Sequence, residues 1–336
     1  EIPDLRMLLS HVIRRRDPVR AELREHVKEF ARPRRSKVTS ASDLVTIEDN
    51  IPEQDSSDLE ETTDQPTLVT LSTSGLLGRR SPNEEFTAKP GRHDVLARSL
   101  ETSGFATVSA LTDHGRALTV RAREIPEMVR GSRGASVTEM FSLSRGEKVV
   151  GLFGDGSDPI VLVTRQGTVK RLEADALKRL RSGSSAINLK GDDRVVSAFV
   201  ASEDSEIVMI ASDGQALRTS AAGVSLQGPG AGGVAGMKLK PGSNVMAAGI
   251  VEFGAAVVVI SDEGAIKATD VAEIPSKGRA TGGVRTVKWR DFETTAAFGW
   301  VGRGQQLAAV VADASDSKQA TGAPVPMRAP ARPAAS

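Results

Sequence analysis

Apolar residues in this chain come in short, β-branched runs, not in long helical stripes. From Thr67 onward one pattern recurs: an apolar strand, a turn ending in glycine, and a returning strand with a basic residue. Its copies are Leu68–Leu71 to Gly75 with Arg79; Ala106–Ser109 to Gly115 with Arg121; Ile160–Val163 to Gly167 with Lys170 and Arg171; Ile207–Ile210 to Gly214 with Arg218; and Val257–Ile260 to Gly264 with Lys267. The turn glycines are 40, 52, 47 and 50 residues apart. Glycine suits a hairpin turn that needs a positive φ. A second motif lies between copies, at Leu143–Val150, Leu189–Val196 and Leu239–Met246, and reads as another strand–turn–strand. Four short strands per unit, repeated radially, predict propeller-like blades. The best-preserved copy is 256–289, whose hairpin is followed by the basic, glycine-rich loop Lys277–Arg285. Leu307–Val311 offers one strand of a worn sixth blade, without a turn glycine or a basic residue after it. Gln319–Gly322 is only weakly similar to Arg279–Gly282.

The N-terminal region has the other period. Leu5, Leu8, Leu9, Val12 and Ile13 are spaced as on a helix over 4–16. Asp17 and Pro18 then look like an N-cap and first helical position, and Leu23, Val27 and Phe30 mark a second helix ending near Arg32-Pro33. The segment reads either as an amphipathic hairpin or as the end of a coiled-coil arm. Residues 36–65 have little to bury, which predicts a disordered acidic linker, although Leu44–Ile47 is a candidate short strand. The expected organisation is a helical segment 1–35, a linker 36–65, a β-domain 66–322 and a Pro/Ala-rich disordered tail 323–336. A first residue other than methionine predicts a piece of a longer polypeptide.

Charge sharpens this picture. The formal net charge is +1, but residues 1–40 carry +5, residues 41–65 carry −9 and residues 66–300 carry +3. A mildly basic body is therefore masked by the acidic linker, which permits nucleic-acid binding. The chain has no cysteine, which excludes disulfides and thiolate metal sites and fits a reducing compartment. No apolar run is long enough to span a bilayer and no signal-peptide pattern is present, so the expected location is cytoplasmic, with no membrane partner.

Catalytic chemistry finds little support. The acidic pairs Asp155/Asp158, Asp192/Asp193 and Glu203/Asp204 sit where turns are expected. His11, His26, His93 and His114 show no metal-ligand spacing. The chain has no tyrosine, so a tyrosyl nucleophile cannot reside in it. Gly228–Gly236 lacks the strand, helix and acidic residue of a dinucleotide site. Aromatic residues make up 3 % of the chain, too few for a base-stacking platform, and Trp289 and Trp300 read as core fillers. What remains is a set of basic, glycine-rich loops at matching places: Arg130–Gly134, Arg181–Gly183, Gln227–Gly233 and Lys277–Arg285. Glycines there let backbone N–H groups approach phosphates while Arg and Lys add charge. With the strand-borne Arg79, Arg121, Lys170, Arg171, Arg218 and Lys267 they predict a positive belt on a ring, suited to a bent duplex. Charge reversal at Arg79, Lys170, Arg171 and Lys267 is then expected to weaken duplex binding without harming the fold. Two readings of another class stay open: a propeller that binds a protein partner, and an enzyme with its site in the central channel.

The motifs Ile160–Arg171, Ile207–Arg218, Arg123–Glu127 with Arg130–Gly134, and above all Val257–Lys267 with Glu273–Lys288, resemble the C-terminal domain of the A subunit of bacterial type IIA DNA topoisomerases, gyrase and topoisomerase IV. The resemblance covers about 66–300 and extends weakly to 18–35, where Glu22–Glu25, Phe30 and Arg34-Arg35 are similar to the end of the family's coiled-coil arm. It implies a six-bladed β-pinwheel, mainly β, whose basic perimeter binds and bends duplex DNA for ATP-dependent strand passage. It implies no cofactor in this chain. It also implies that ATP and Mg2+ belong to a partner B subunit. Both that partner and a second A subunit are met through a core outside this chain. The implied DNA-facing set is Arg79, Arg80, Lys89, Arg92, Arg121, Arg130, Arg133, Lys170, Arg171, Arg179, Arg181, Arg218, Lys267, Lys277, Arg279 and Arg285, with no catalytic or metal-binding residue. One departure stands out. Where gyrase carries a Gln-Arg-Arg-Gly-Gly-x-Gly box after the first hairpin, this chain has Phe86–His93, with Lys89, Gly91 and Arg92 as its remnant. This favours a topoisomerase IV-like role.

Overall fold

The computed structural model divides the chain into two compact units, Glu1–Thr63 and Asp64–Ser336. It describes Asp64–Asn83, Asp94, 96–128, 134–290 and 293–303, with two short strands beyond, and in the first unit only Ala21 and Arg24, both helical. The expected helices at 4–32, the strand at 44–47 and the disordered linker and tail therefore lie almost wholly outside the described residues, as do Lys89, Arg92, Arg130 and Arg133.

The second unit is built of blades. Blade 1 contains β1 (Pro66–Ser72), β2 (Leu76–Arg80) and β3 (Leu96–Ser103). Blade 2 opens with β4 (Thr107–Thr112) and β5 (Ala117–Arg121). After β6 (Ala135–Ser136) and the one-turn helix α1 (Val137–Phe141) it closes with β7 (Val149–Phe153). Blade 3 has β8 (Ile160–Thr164) and β9 (Thr168–Leu172), then the short helix α2 (Ala174–Lys178) and β10 (Val195–Val200). Blade 4 has β11 (Glu206–Ala211) and β12 (Gln215–Ser220), then β13 (Val234–Ala235) and β14 (Val245–Ile250). Blade 5 has β15 (Ala255–Ser261) and β16 (Ile266–Asp270), then β17 (Val284–Arg285) and β18 (Ala296–Arg303). β19 (Ala308–Val310) pairs with β20 (Gly322–Pro324) as a two-stranded remainder.

All five predicted turn glycines close the first hairpin of a blade, and all have positive φ, from 75° to 83°. The turns carry a second device. The hydroxyls of Ser72, Thr112, Thr164 and Ser261 each accept the backbone N–H four residues on, at 3.0–3.2 Å. In the fourth hairpin Ala211 has no hydroxyl, and Asp213 accepts from Gln215 instead.

The opening strands of blades 3, 4 and 5 hold unbroken apolar runs because both of their faces are buried, and in β1 and β4 the run is interrupted only by the buried Thr70 and Ser109. In β8, Ile160 and Leu162 pack with Leu111 and Ala117 of blade 2, while Val161 and Val163 pack with Ile207 and Met209 of blade 4. In β11 the alternation repeats, with Val208 and Ile210 packing on Val257 and Val259. The core is thus a series of layers between blades. The closing strands β3, β7, β10, β14 and β18 face inward around one cavity of about 530 Å³, lined chiefly by apolar side chains such as Leu152, Val196, Met246, Phe298 and Trp300, with Arg98 and Glu252 among its few charged residues.

One expectation changes here. The motif before each closing strand is not strand–turn–strand. Leu143, Leu189 and Leu239 lie in loops and only the second half is a strand, because the first leucine packs against a core layer. The fourth strand of a blade comes from elsewhere. Sheet order is β3-β1-β2-β6, β10-β8-β9-β13 and β14-β11-β12-β17, so the outer edge of blades 1, 3 and 4 is closed by two residues from the unit that follows. Blade 2 has a single equivalent bridge, Arg116 to Ser185. Among the described residues, β16 of blade 5 has no such partner.

Each two-residue closing strand is entered through a glycine: Gly134, Gly233 and Gly283, at φ +100°, +85° and +70°. A Cβ on Gly283 would sit 2.4 Å from the Ala216 carbonyl oxygen, and one on Gly134 2.4 Å from that of Leu77. Basic side chains complete the seam. Arg79 Nε donates to the Ile125 carbonyl at 2.8 Å, Arg171 to Ala221 and Val224 at 3.0 and 3.1 Å, and Arg218 to Val271 and Ile274 at 3.2 and 3.4 Å. Each lies four residues after its turn glycine and binds the 3-10 turn of the next blade (Ala122–Glu124, Ala221–Gly223, Val271–Glu273). Lys170 is fully buried, and its Nζ donates to the carbonyls of Ala186, Pro229 and Ala231 at 2.8–2.9 Å, joining two successive outer loops. Burial pulls its pKa down to about 8, while the three carbonyl dipoles favour the ammonium.

Two outcomes are expected. Gly283→Ala should cost at least about 2 kcal/mol in chemical denaturation, because a strained φ and a backbone clash coincide. Lys170→Met should lose about 2–4 kcal/mol by stranding buried carbonyls, whereas Lys277→Met, on an exposed loop, should stay within about 0.5 kcal/mol of wild type.

Candidate nucleic-acid interface

The cations divide into seam and surface. Lys170 and Arg171 are 0 % and 3 % exposed with their donors aimed at carbonyls, so these two leave the expected DNA-facing set. The alternation of a strand predicted this poorly: adjacent residues point oppositely, but here both sides are interior. Charge reversal at either would damage the fold, contrary to the expectation from sequence. Arg218 is held by Glu206 as well as by the next blade. Hydrogen bonds and the charge of Arg218 hold the Glu206 carboxyl below its usual range. Lys267 is bound to Glu293 and the Lys288 carbonyl and lies 5.2 Å from the Trp289 ring centroid. Arg79 adds an ion pair to Glu127 at 3.5 Å. Arg80 is half-buried.

The surface cations gather on the outer loops. After each 3-10 turn or short helix, the chain crosses the outer strand of the preceding blade, supplies the closing residues, and runs on to the next inner strand. Successive loops are joined: Asn188 N–H donates to Ala231 at 3.1 Å, and Lys238 N–H to Thr281 at 2.9 Å. Arg279 reaches back to the Gly223 and Ala235 carbonyls at 2.8 and 3.1 Å. The result is a continuous strip along the edges of blades 2, 3 and 4. In sequence the stretches 176–191, 221–251 and 274–290 contain no Asp or Glu at all. They contain Lys178, Arg179, Arg181 and Lys190; Lys238 and Lys240; and Lys277, Arg279, Arg285, Lys288 and Arg290. Apart from Lys178, which is half-buried and paired with Asp155 and Asp175, all of these are exposed. Of the expected set, the structure therefore brings Arg179, Arg181, Lys277, Arg279 and Arg285 together here, while exposed Arg121 lies at the end of a strand.

Lys190, Lys238, Lys240, Lys288 and Arg290 were missed by sequence reasoning. Their signal was the absence of acids from whole loops, which a search for glycine-flanked basic motifs passes over. Acids are present close by but occupied. Glu147 is buried and takes two hydrogen bonds from Arg116, at 2.9 and 2.6 Å. Burial alone would raise its carboxyl, but Arg116, Thr112 and Ser144 hold it down at about 2. Asp193 is buried against the Gln166 and Arg194 N–H groups.

The remaining chemistry is sparse. No group of three His, Asp or Glu residues suited to a metal ion occurs among the described residues. The inner cavity offers Arg98, Ser197 and Glu252 on an apolar wall. Trp289 packs in the layer between blades 4 and 5, its Nε1 donating to Asp213 O at 3.2 Å, whereas Trp300 faces the inner cavity instead of filling a layer. No helix among the described residues is long and apolar enough to cross a membrane.

Known proteins share this plan. The family model described as DNA gyrase C-terminal domain, beta-propeller, matches residues 107–153, 158–202, 205–252 and 255–292, one segment for each of blades 2 to 5. The DNA gyrase A protein of Aminobacterium colombiense is 31 % identical over 235 residues, 66 % of this chain and 27 % of that protein. Its Mycobacterium bovis counterpart is 29 % identical over 255 residues, 71 % of this chain and 29 % of that protein. The chain thus spans under a third of the length of these relatives. Among solved structures, the C-terminal domain of DNA topoisomerase IV aligns with a TM-score of 0.64 at 24 % identity, covering 72 % of this chain and 79 % of that one. The DNA gyrase A C-terminal domain aligns at 0.53 and 20 %, covering 71 % and 84 %. These last two show the fold alone. With the family model matching more than half of its length, blade by blade, the chain belongs to the DNA gyrase C-terminal domain family and has that family's β-propeller fold.

Proposed function

We propose that this chain is the DNA-binding and DNA-bending module of a type IIA topoisomerase A subunit. The observation that carries the reading is the acid-free strip of exposed Lys and Arg along successive blade edges. A curved row of cations neutralises phosphates without reading bases, and favours a duplex bent to follow it. In this reading the module guides a duplex to a core elsewhere in the enzyme. Cleavage occurs in that core, because this chain has no tyrosine. ATP and Mg2+ belong to the B subunit, and the core also joins two A subunits. The working place is the cytoplasm, at the nucleoid.

Within that reading we favour relaxation and decatenation over negative supercoiling. Support comes from Phe86–His93, where Lys89, Gly91 and Arg92 stand in place of a complete basic box. Ligation of nicked circular DNA on the chain tests this, with little or no linking-number shift expected. A clear positive shift would instead assign gyrase-type wrapping.

Duplex binding itself is tested by reversing Arg181, Lys238, Lys277 and Arg285 to Glu. Removing about four phosphate contacts should lower the slope of log affinity against log salt by about 3–4, with the denaturation midpoint unchanged. An unaltered slope, or no duplex binding by the wild-type chain at low salt, would leave a protein-binding propeller as the better account.

A further inference from the structure

The two faces of the blade ring differ in charge. One face carries the hairpin turns that end in Gly75, Gly115, Gly167, Gly214 and Gly264. It exposes Asp192, Asp262 and Glu263, but Asp192 pairs with Arg165, Asp262 accepts from Thr294, and the exposed Arg145, Lys148, Lys190, Lys238, Lys288 and Arg290 outnumber them. The opposite face carries the 3-10 turns and the loops that lead from one blade into the next. On this second face exposed acids dominate: Asp155 and Asp158 before blade 3, Glu203 and Asp204 before blade 4, and Glu124 and Glu273 on 3-10 turns. Exposed cations there are few: Arg121 ends β5 beside the 3-10 turn, and two others are engaged. Arg123 lies 5.3 Å from the Phe105 ring centroid, and Arg303 pairs with Glu252 at 3.0 Å.

The outer loops cross the blade edge between these faces. The loop of blade 2 has Arg179 and Arg181 at its start and Lys190 at its end, while in those of blades 3 and 4 the cations reach or gather at the hairpin side. The loop after Ile274 starts on the 3-10 side, where Ser276 bridges Arg218. It passes Lys277 and Arg279 and pairs Val284 and Arg285 beside the hairpin turn of blade 4. It ends on the hairpin side with Lys288 and Arg290. The loop of blade 3 behaves alike, with no charge from Val224 to Met237 and then Lys238 and Lys240.

We propose that the 3-10 face is a DNA-excluding wall and that the duplex runs on the outer strip displaced toward the hairpin face. The inference rests on the DNA-binding reading above and deepens it, since it says on which side the path lies. A polyanion is drawn to the cationic margin and repelled by the acidic one, both acting within a Debye length of about 8–10 Å.

The absence of cysteine makes the test direct. Single cysteines are placed in the full chain at Gly278→Cys on the strip, Asn244→Cys on the hairpin face and Ala222→Cys on the 3-10 face, all exposed positions. Each is coupled to an iron chelate that cuts nearby DNA, and duplex binding is measured separately. Strong cutting is expected from 278 and 244, with at least tenfold less from 222. Adding Glu203→Gln, Asp204→Asn and Glu273→Gln should raise cutting from 222 several-fold, since the wall is then neutral. Equal cutting from 222 and 244, no cutting from any position despite binding, or no response to the neutralised wall would overturn the path. Failure of the unmodified chain to bind duplex would instead defeat the functional reading on which it rests.

Discussion

A β-strand at the edge of a sheet presents unpaired N–H and C=O groups, and a ring of separate blades would have one such edge per blade. This chain answers that constraint by lending residues backward. β6, β13 and β17 each close the blade before the one they follow in sequence. Two residues suffice near the hairpin because the far end of the edge is met by the incoming loop, whose Met128, Gln227 and Lys277 N–H groups donate to the carbonyls of Arg79, Arg171 and Arg218. The remaining carbonyls at the seam are met by Arg79, Arg171, Arg218 and Lys170. Much of the basic character of the strands therefore serves to satisfy backbone groups inside the molecule, and what faces solvent is carried by the loops doing the lending.

That division explains what could be read from sequence. The hairpins were legible because their requirements are local: an apolar run and a turn glycine at positive φ. The blade period followed from repeating them. The lent strands were not legible, since two residues such as Val284-Arg285 have no periodicity to detect. The burial of Lys170 and Arg171 was hidden for a related reason. A repeated basic residue looks like a repeated surface, yet Lys170 sits between Val169 and Arg171 in a strand whose two sides both meet neighbours. Five loop cations of the candidate interface were visible as motifs, while Lys190, Lys238, Lys240, Lys288 and Arg290 emerge only when the loops are seen to be joined.

The same seam ties the candidate interface to the core. Arg279 is exposed yet bonded to two carbonyls of the preceding loop, and Lys170 fixes the loops of blades 2 and 3 to each other. A surface strip held this way keeps its curvature in the absence of a ligand. Cations on a stiff curved support lose less freedom on binding than cations on independent loops. On the DNA-binding reading proposed above, preorganisation of this kind would favour bent duplexes over straight ones without a contact to any base.

Backward lending also puts the repeat in the sequence out of step with the blade in space. A chain cut at the apparent boundary after Val251 would hold every hairpin of blades 1 to 4, yet leave β12 without β17. During synthesis the same holds: once Val251 has emerged, blade 4 stays open until 34 further residues, through Arg285, have left the ribosome. Workable trimming points therefore lie after a lent strand, not between blades. Gain or loss of a whole unit would leave each remaining lent strand with a blade to close, which gives such a chain a way to change blade number without opening a further edge.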